Sequence, residues 1–255
     1  MSEPLLSIIT INFNNKNGLQ KTMDSVLNQS FQDYEYIIID GGSSDGSKEL
    51  IEAYSSKDDF KKHVAYWCSE KDSGIYNAMN KGIRHASGNW VYMLNSGDAL
   101  VNDALNSVSD VLHSHENEVV YGAIDCYADN EYTWTSCHSA KKLDAGMFPH
   151  QGFFSPRIFH EKYGFYDESF KIAADWDYAL RLKDKGCIFY HVPLIIAEYD
   201  ETGISATMTP LHKKEIKLVQ ERHNIVVTKP NLFKKVLKLF VPPILILIAR
   251  RILKK

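Results

Sequence analysis

Four short apolar runs alternate with stretches of helical spacing between residues 5 and 98, and each run ends in a polar cluster. Leu5 to Ile11, Tyr34 to Ile39, His63 to Cys68 and Trp90 to Leu94 read as strands. Leu19 to Leu27, the segment holding Leu50, Ile51 and Tyr54, and Ile75 to His85 read as helices, with Ser43, Ser44 and Asp45 as N-cap candidates. That alternation predicts an α/β fold with a doubly wound, mostly parallel sheet flanked by helices. Ligands of open α/β sheets bind outside the carboxyl ends of the strands. The site is therefore expected to collect Asn12 to Asn15, Asp40 to Asp45, Glu70 to Gly74 and Asn95 to Asp98.

The chain has 255 residues, 44% hydrophobic and 24% charged, which excludes a disordered, collagen-like or polytopic membrane protein. At ~150 residues per domain this is one to two domains. Cys68, Cys126, Cys137 and Cys187 form no CxxC motif, and a reducing compartment fits them. The N-terminus lacks the basic and long apolar regions of a secretory signal. The net charge of −3 conceals an asymmetry: residues 1–210 hold 17 Lys+Arg against 30 Asp+Glu, and residues 211–255 hold 12 against 2. A boundary is expected there, with one domain at 1–210 and a basic amphipathic extension at 211–255.

Five clusters offer chemistry. In Asp40-Gly41-Gly42-Ser43-Ser44-Asp45-Gly46-Ser47, paired glycines allow a ligand close to the backbone, ahead of a helix N-terminus that favours an anion. The same string also suits a tight strand-to-helix turn. Glu70 to Lys81 can bond a ribose or base, or form a capped, solvated loop. Asn95-Ser96-Gly97-Asp98 ends a strand with one carboxylate able to bind a hard cation; the residue types equally suit a turn. Asp175, in Asp175-Trp176-Asp177, is either a helix cap or a general base for an attacking hydroxyl. His150-Gln151 is a polar pair in an aromatic stretch, read as a buried network or a ligand contact. No GxGxxG is present for a dinucleotide site.

The order of these clusters resembles the family 2 glycosyltransferases over residues 5–205. The carriers are Ser7 to Asn14, Asp40 to Ser47, Asp72 to Gly82, Asn95 to Asp98, and Asp175 to Leu182. The resemblance implies a GT-A fold and an inverting transfer of one sugar from a nucleotide-sugar donor. It implies that Asp40 reads the uracil of a UDP-sugar, with Thr10 and Asn14 nearby. Asp72 would contact the nucleoside, Lys81 would lie near the diphosphate, and Asn95 would join the donor-binding set. Asp98 would ligate Mn²⁺ or Mg²⁺, Asp175 would be the base, and His150 and Trp176 would shape the acceptor or donor-sugar pocket. The family's usual Asp-x-Asp run is Asn95-Ser96-Gly97-Asp98 here, which keeps one carboxylate.

Leu232, Phe233, Val236, Leu237 and Phe240 repeat at helical spacing beside Lys234, Lys235 and Lys238. The apolar stretch Leu239 to Ala249 is shorter than the ~20 residues of a spanning helix. The tail is expected to lie in a membrane interface or to pack on protein. The functional expectation is a transferase at the cytoplasmic face of the plasma membrane. Its acceptor would be a lipid-linked glycan of a surface polysaccharide (O-antigen, capsule or exopolysaccharide), with no nucleic-acid partner. The alternatives are an inactive nucleotide-sugar or glycan-binding protein and a nucleotidyltransferase.

Overall fold

The computed structural model describes residues 3–129, 131–201 and 209–226. β1 (Leu6–Asn12), β2 (Tyr34–Asp40), β3 (Val64–Ser69) and β4 (Trp90–Met93) run parallel in the order β3-β2-β1-β4. Their connections carry α1 (Lys16–Leu27), α2 (Ser47–Tyr54), α3 (Asp58–His63) and α4 (Ile75–His85). β1 is buried along its whole length because helices cover both faces, so a mostly apolar run suits it better than strict alternation. The period of two still shows in what each face meets. Ile8, Tyr36, Ile38 and Tyr92 face one core, and Ile9, Ile11, Ile37, Ile39 and Val91 face the other. Gly82 lets α4 press against Ile9, where a side chain of its own would collide.

The second half is a mixed extension of the same sheet. β5 (Ala99–Leu100) leads into α5 (Ala104–Ser114), followed by the hairpin of β6 (Val119–Ala128) and β7 (Glu131–Ser136). Two 3₁₀ turns, Ala140–Ala145 and His150–Gly152, precede β8 (Phe153–Pro156) and α6 (Arg157–Tyr163). α7 (Ala174–Asp184), β9 (Phe189–Asp200) and α8 (Pro210–Arg222) follow. β8 is antiparallel to both β4 and β6, while β9 is parallel to β6.

The sequence suggests two short late strands, Cys187 to Val192 and Leu194 to Tyr199. They form one strand, β9, across Pro193. The register against β6 shifts there, from His191 opposite Tyr121 to Ile195 opposite Ala123. A bulge is where a strand tolerates a residue with no N–H to give.

The boundary expected at residue 210 is not where packing ends. α8 buries Glu215 and Val219 against the body, and Arg222 bonds Asp167 and Asp177 at 2.8 and 3.0 Å. The amphipathic stretch from Leu232 onward lies outside the described residues. Among the described residues no helix is long and apolar enough to cross a membrane.

Candidate active site

The carboxyl ends of β1, β2, β3 and β4 meet at one edge, and there the predicted clusters touch. Asp40 ends β2 fully buried. Asn12 Nδ2 and Ser43 Oγ donate to its Oδ1 at 2.7 and 2.6 Å, and the Ser43 N–H and Ser69 Oγ donate to its Oδ2 at 3.0 and 2.6 Å. Burial alone would raise its pKa. These four donors outweigh that and hold it below the usual carboxylate range. A carboxylate has about four lone-pair directions, so Asp40 is saturated. The expectation that it reads a nucleobase meets that obstacle: here it organises the ends of three strands.

Asp72 places a second carboxylate beside the strand end that Asp40 closes. Its Oδ1 accepts from the Gly74 N–H at 2.9 Å. Its Oδ2 lies over Gly41, 2.5 Å from where a Cβ on that glycine would stand. Gly41 therefore keeps room for Asp72 beside the Asp40 strand end. Asn14, at φ 50°, clamps the first two loops together. Its N–H donates to Ser43 Oγ at 2.7 Å, and its Oδ1 accepts from the Ser44 N–H at 2.8 Å. Thr10 faces inward instead: its hydroxyl donates to Leu94 O and accepts from Tyr36 Oη, both at 2.8 Å. Lys81 is tied to Glu70 at 2.7 Å. Thr10 and Lys81 thus have protein partners where donor contacts were expected.

Asp98 is 5% exposed. Its Oδ2 accepts from Gln151 Nε2 at 2.9 Å and its Oδ1 from the Asp200 N–H at 3.2 Å. Burial pushes its carboxyl up to about 7 despite those donors. A divalent cation needs charged, accessible oxygens. This carboxylate is turned inward and already engaged. Among the described residues no three His, Cys, Asp or Glu side chains cluster as a metal site. The donor set at this strand end does not fit the expected Mn²⁺ or Mg²⁺.

Asp175 lies in the first turn of α7, with its side chain 22% exposed. The Trp176 N–H donates to its Oδ1 at 2.8 Å, and Tyr76 Oη stands 3.4 Å from the same oxygen. His150 Nδ1 lies 3.8 Å from Oδ2. Burial raises the Asp175 carboxyl above its ordinary value, against the opposing pull of His150 and the two donors. A carboxylate with a raised pKa and limited exposure is a stronger base than a solvated one. Trp176 is buried, and its indole N–H donates to Leu143 O at 2.7 Å, holding the Ala140–Ala145 turn over α7. His150 reaches the fourth strand end as well, where Asn95 Nδ2 lies 3.2 Å from its Nε2.

Two further residues contribute, one of them outside the sequence expectations. Gln151, half of the polar pair for which the sequence offers a buried network or a ligand contact, is buried and carries the contact to Asp98. Glu215, placed by the charge pattern in the basic extension, accepts the N–H groups of Lys171, Ile172 and Ala173 at 2.8, 2.8 and 3.1 Å. It was the one acid in the first turns of a Lys-rich helix, which marks it only once α8 is known to dock.

A parallel half-sheet whose strand ends hold these polar loops, extended by a mixed half carrying Asp175, is the GT-A fold of glycosyltransferases. The family described as Glycosyl transferase family 2 matches residues 7–176. The chain belongs to that family and is a glycosyltransferase. It is 34% identical over 216 residues to an uncharacterized glycosyltransferase of Mycobacterium tuberculosis, covering 82% of this chain and 80% of that one. It is 28% identical over 210 residues to a PGL/p-HBAD biosynthesis glycosyltransferase of Mycobacterium bovis, covering 80% and 79%. Among solved structures, S. aureus TarS 1-349 in complex with UDP-GlcNAc superposes with a TM-score of 0.70 at 13% identity. That superposition covers 86% of this chain but 65% of TarS 1-349, so the larger protein has a further part this chain does not match.

Proposed function

We propose that this protein transfers a single sugar, with inversion, from a UDP-sugar to a hydroxyl of a lipid-linked glycan during surface-polysaccharide synthesis. The observation that carries the reading is Asp175: a largely enclosed carboxylate of raised pKa, linked to the fourth strand end through His150. The donor nucleotide lies over the loops clamped by Asn14 and Asp40, with Asp72 Oδ2 as its carboxylate contact. Asp175 takes the proton of the acceptor hydroxyl. The hydroxyl oxygen attacks the anomeric carbon as the bond to the diphosphate breaks, and the nucleoside diphosphate departs on the opposite face. One base on the acceptor side suffices for such a single displacement, whereas hydrolysis of a glycoside needs two flanking carboxyls. His150 and Trp176 wall the pocket around the reacting carbon.

The UDP choice draws support from the UDP-GlcNAc complex of TarS, and the glycoconjugate setting from the PGL/p-HBAD relative. The tail supports a membrane-interface acceptor: twelve Lys+Arg against two Asp+Glu in residues 211–255. Each basic residue near an anionic leaflet contributes about 1 kcal/mol. The test is nucleotide release from a panel of nucleotide sugars, with Mn²⁺ and with chelator. UDP release from at least one UDP-sugar is expected, and release only from other nucleotides would refute the donor assignment. Deleting residues 230–255 is expected to move the protein off membranes; retention there would refute the tail as anchor.

A further inference from the structure

A line of contacts runs from the fourth strand end to the proposed base. Asn95 Nδ2 is 3.2 Å from His150 Nε2, and His150 Nδ1 is 3.8 Å from Asp175 Oδ2. The imidazole is 21% exposed, and burial lowers its pKa below the ordinary value, against the pull of Asp175. A neutral imidazole carries one proton, and its position is set by what each nitrogen faces. Nδ1 faces a carboxylate, which welcomes an N–H and repels a lone pair. The other groups about Asp175 are the Tyr76 hydroxyl, the Trp176 N–H and Tyr166, none of which competes for Nδ1. Nε2 is then a bare acceptor and needs a donor. A carboxamide has one to give; a carboxylate at the same position would not.

The cost of this arrangement is visible. With its Nδ2 turned to His150, Asn95 leaves its Oδ1 buried with no partner among the described residues. An unpartnered buried acceptor keeps the desolvation penalty with no hydrogen bond to offset it. The reversed carboxamide would pair that oxygen only with an Nε2–H, and so bring a lone pair against Asp175. The orientation that strands Oδ1 is the one that keeps an N–H on the carboxylate.

We propose that Asn95 is a positioning residue that fixes His150 as the Nδ1–H tautomer directed at Asp175. The fourth strand end is thereby coupled to the base. The 3.8 Å separation is longer than a hydrogen bond, and contacts of this kind in ligand-free sites often tighten only when substrate binds. The inference rests on the reading of Asp175 as the base, but its test does not depend on turnover.

The full-length protein labelled with ¹⁵N-histidine is observed by long-range ¹H–¹⁵N correlation at neutral pH, with the His150 signals identified by their loss in His150→Asn. Wild-type protein is expected to show a protonated Nδ1 and an unprotonated Nε2. Asn95→Asp is expected to convert the ring to the Nε2–H or doubly protonated form and to lower turnover at least tenfold. His150→Asn keeps a donor near the Nδ1 position, so adding Asn95→Ala to it is expected to cost nothing further, whereas Asn95→Ala alone costs turnover. An Nε2–H tautomer in wild-type protein, or an Nδ1–H form that persists in Asn95→Asp, would overturn the inference. If the tautomer is as stated while Asp175→Asn still turns over, the base assignment fails and the tautomer lock stands.

Discussion

Glu215 accepts the backbone N–H of Ala173 at 3.1 Å, two residues before Asp175. The same carboxylate takes the N–H groups of Lys171 and Ile172. It thus satisfies the backbone donors leading into α7 from a helix that belongs, by composition, to the tail. The position of the proposed base is set from outside the segment that carries it.

Glu215→Gln leaves one amide oxygen for three donors and turns an NH₂ toward N–H groups. Hydrogen bonds to a buried charge contribute about 1.5 to 3 kcal/mol each, part of which an amide keeps. A loss of about 2 to 3 kcal/mol in urea unfolding is expected, with reduced turnover at saturating donor. Unchanged stability and turnover would show that α8 does not hold the α7 entry.

Gly41→Ala places a Cβ 2.5 Å from Asp72 Oδ2 and so displaces that carboxylate. Donor affinity is expected to fall at least tenfold in calorimetric titration, with the fold retained by circular dichroism. Equal affinity in Gly41→Ala and wild type would remove Asp72 from the donor site.

Asp40 and Asp98 carry opposite pH signatures. Asp40 is held below the usual range, so its stabilisation is present above the unfolded-state value of about 3.9 and is lost as pH falls below it. Asp98 is pushed up to about 7, so between about 3.9 and 7 the folded state binds the extra proton. Its contribution therefore favours folding at the acid end of that window and fades as pH rises through 7. The Asp98→Asn variant is expected to gain stability relative to wild type as pH rises from 5 to 8. A difference that does not change with pH would contradict the buried, proton-binding state of Asp98.

Much of this architecture was legible in the residues, for physical reasons. β1, β2 and β4 are sandwiched between helices, so their apolar runs are unmistakable, and Ile75 to His85 is helical over the predicted residues. That Asp40, Asp72 and Asn95 follow the carboxyl ends of three strands of one sheet was legible from strand order. What the sequence hid depends on side-chain direction. Thr10 and Asp98 sit at the right strand ends but point inward, a choice made by Tyr36, Leu94, Gln151 and Asp200, all distant in the chain. The docking of α8 was hidden because its buried face is small, with only Glu215 and Val219 covered. β9 reads as two strands because Pro193 falls between them; the extra residues that β9 inserts against β6 there, a step of four against two, are set by pairing and not by local sequence.

The most direct test of the proposed chemistry is the turnover of Asp175→Asn, measured as nucleotide release with donor and acceptor both saturating. Asparagine keeps the size of the side chain and an acceptor for the Trp176 N–H, but it cannot take a proton. Donor binding within about twofold of wild type and a fall in turnover of at least 10²-fold are expected. Near-normal turnover with intact donor binding would contradict Asp175 as the base.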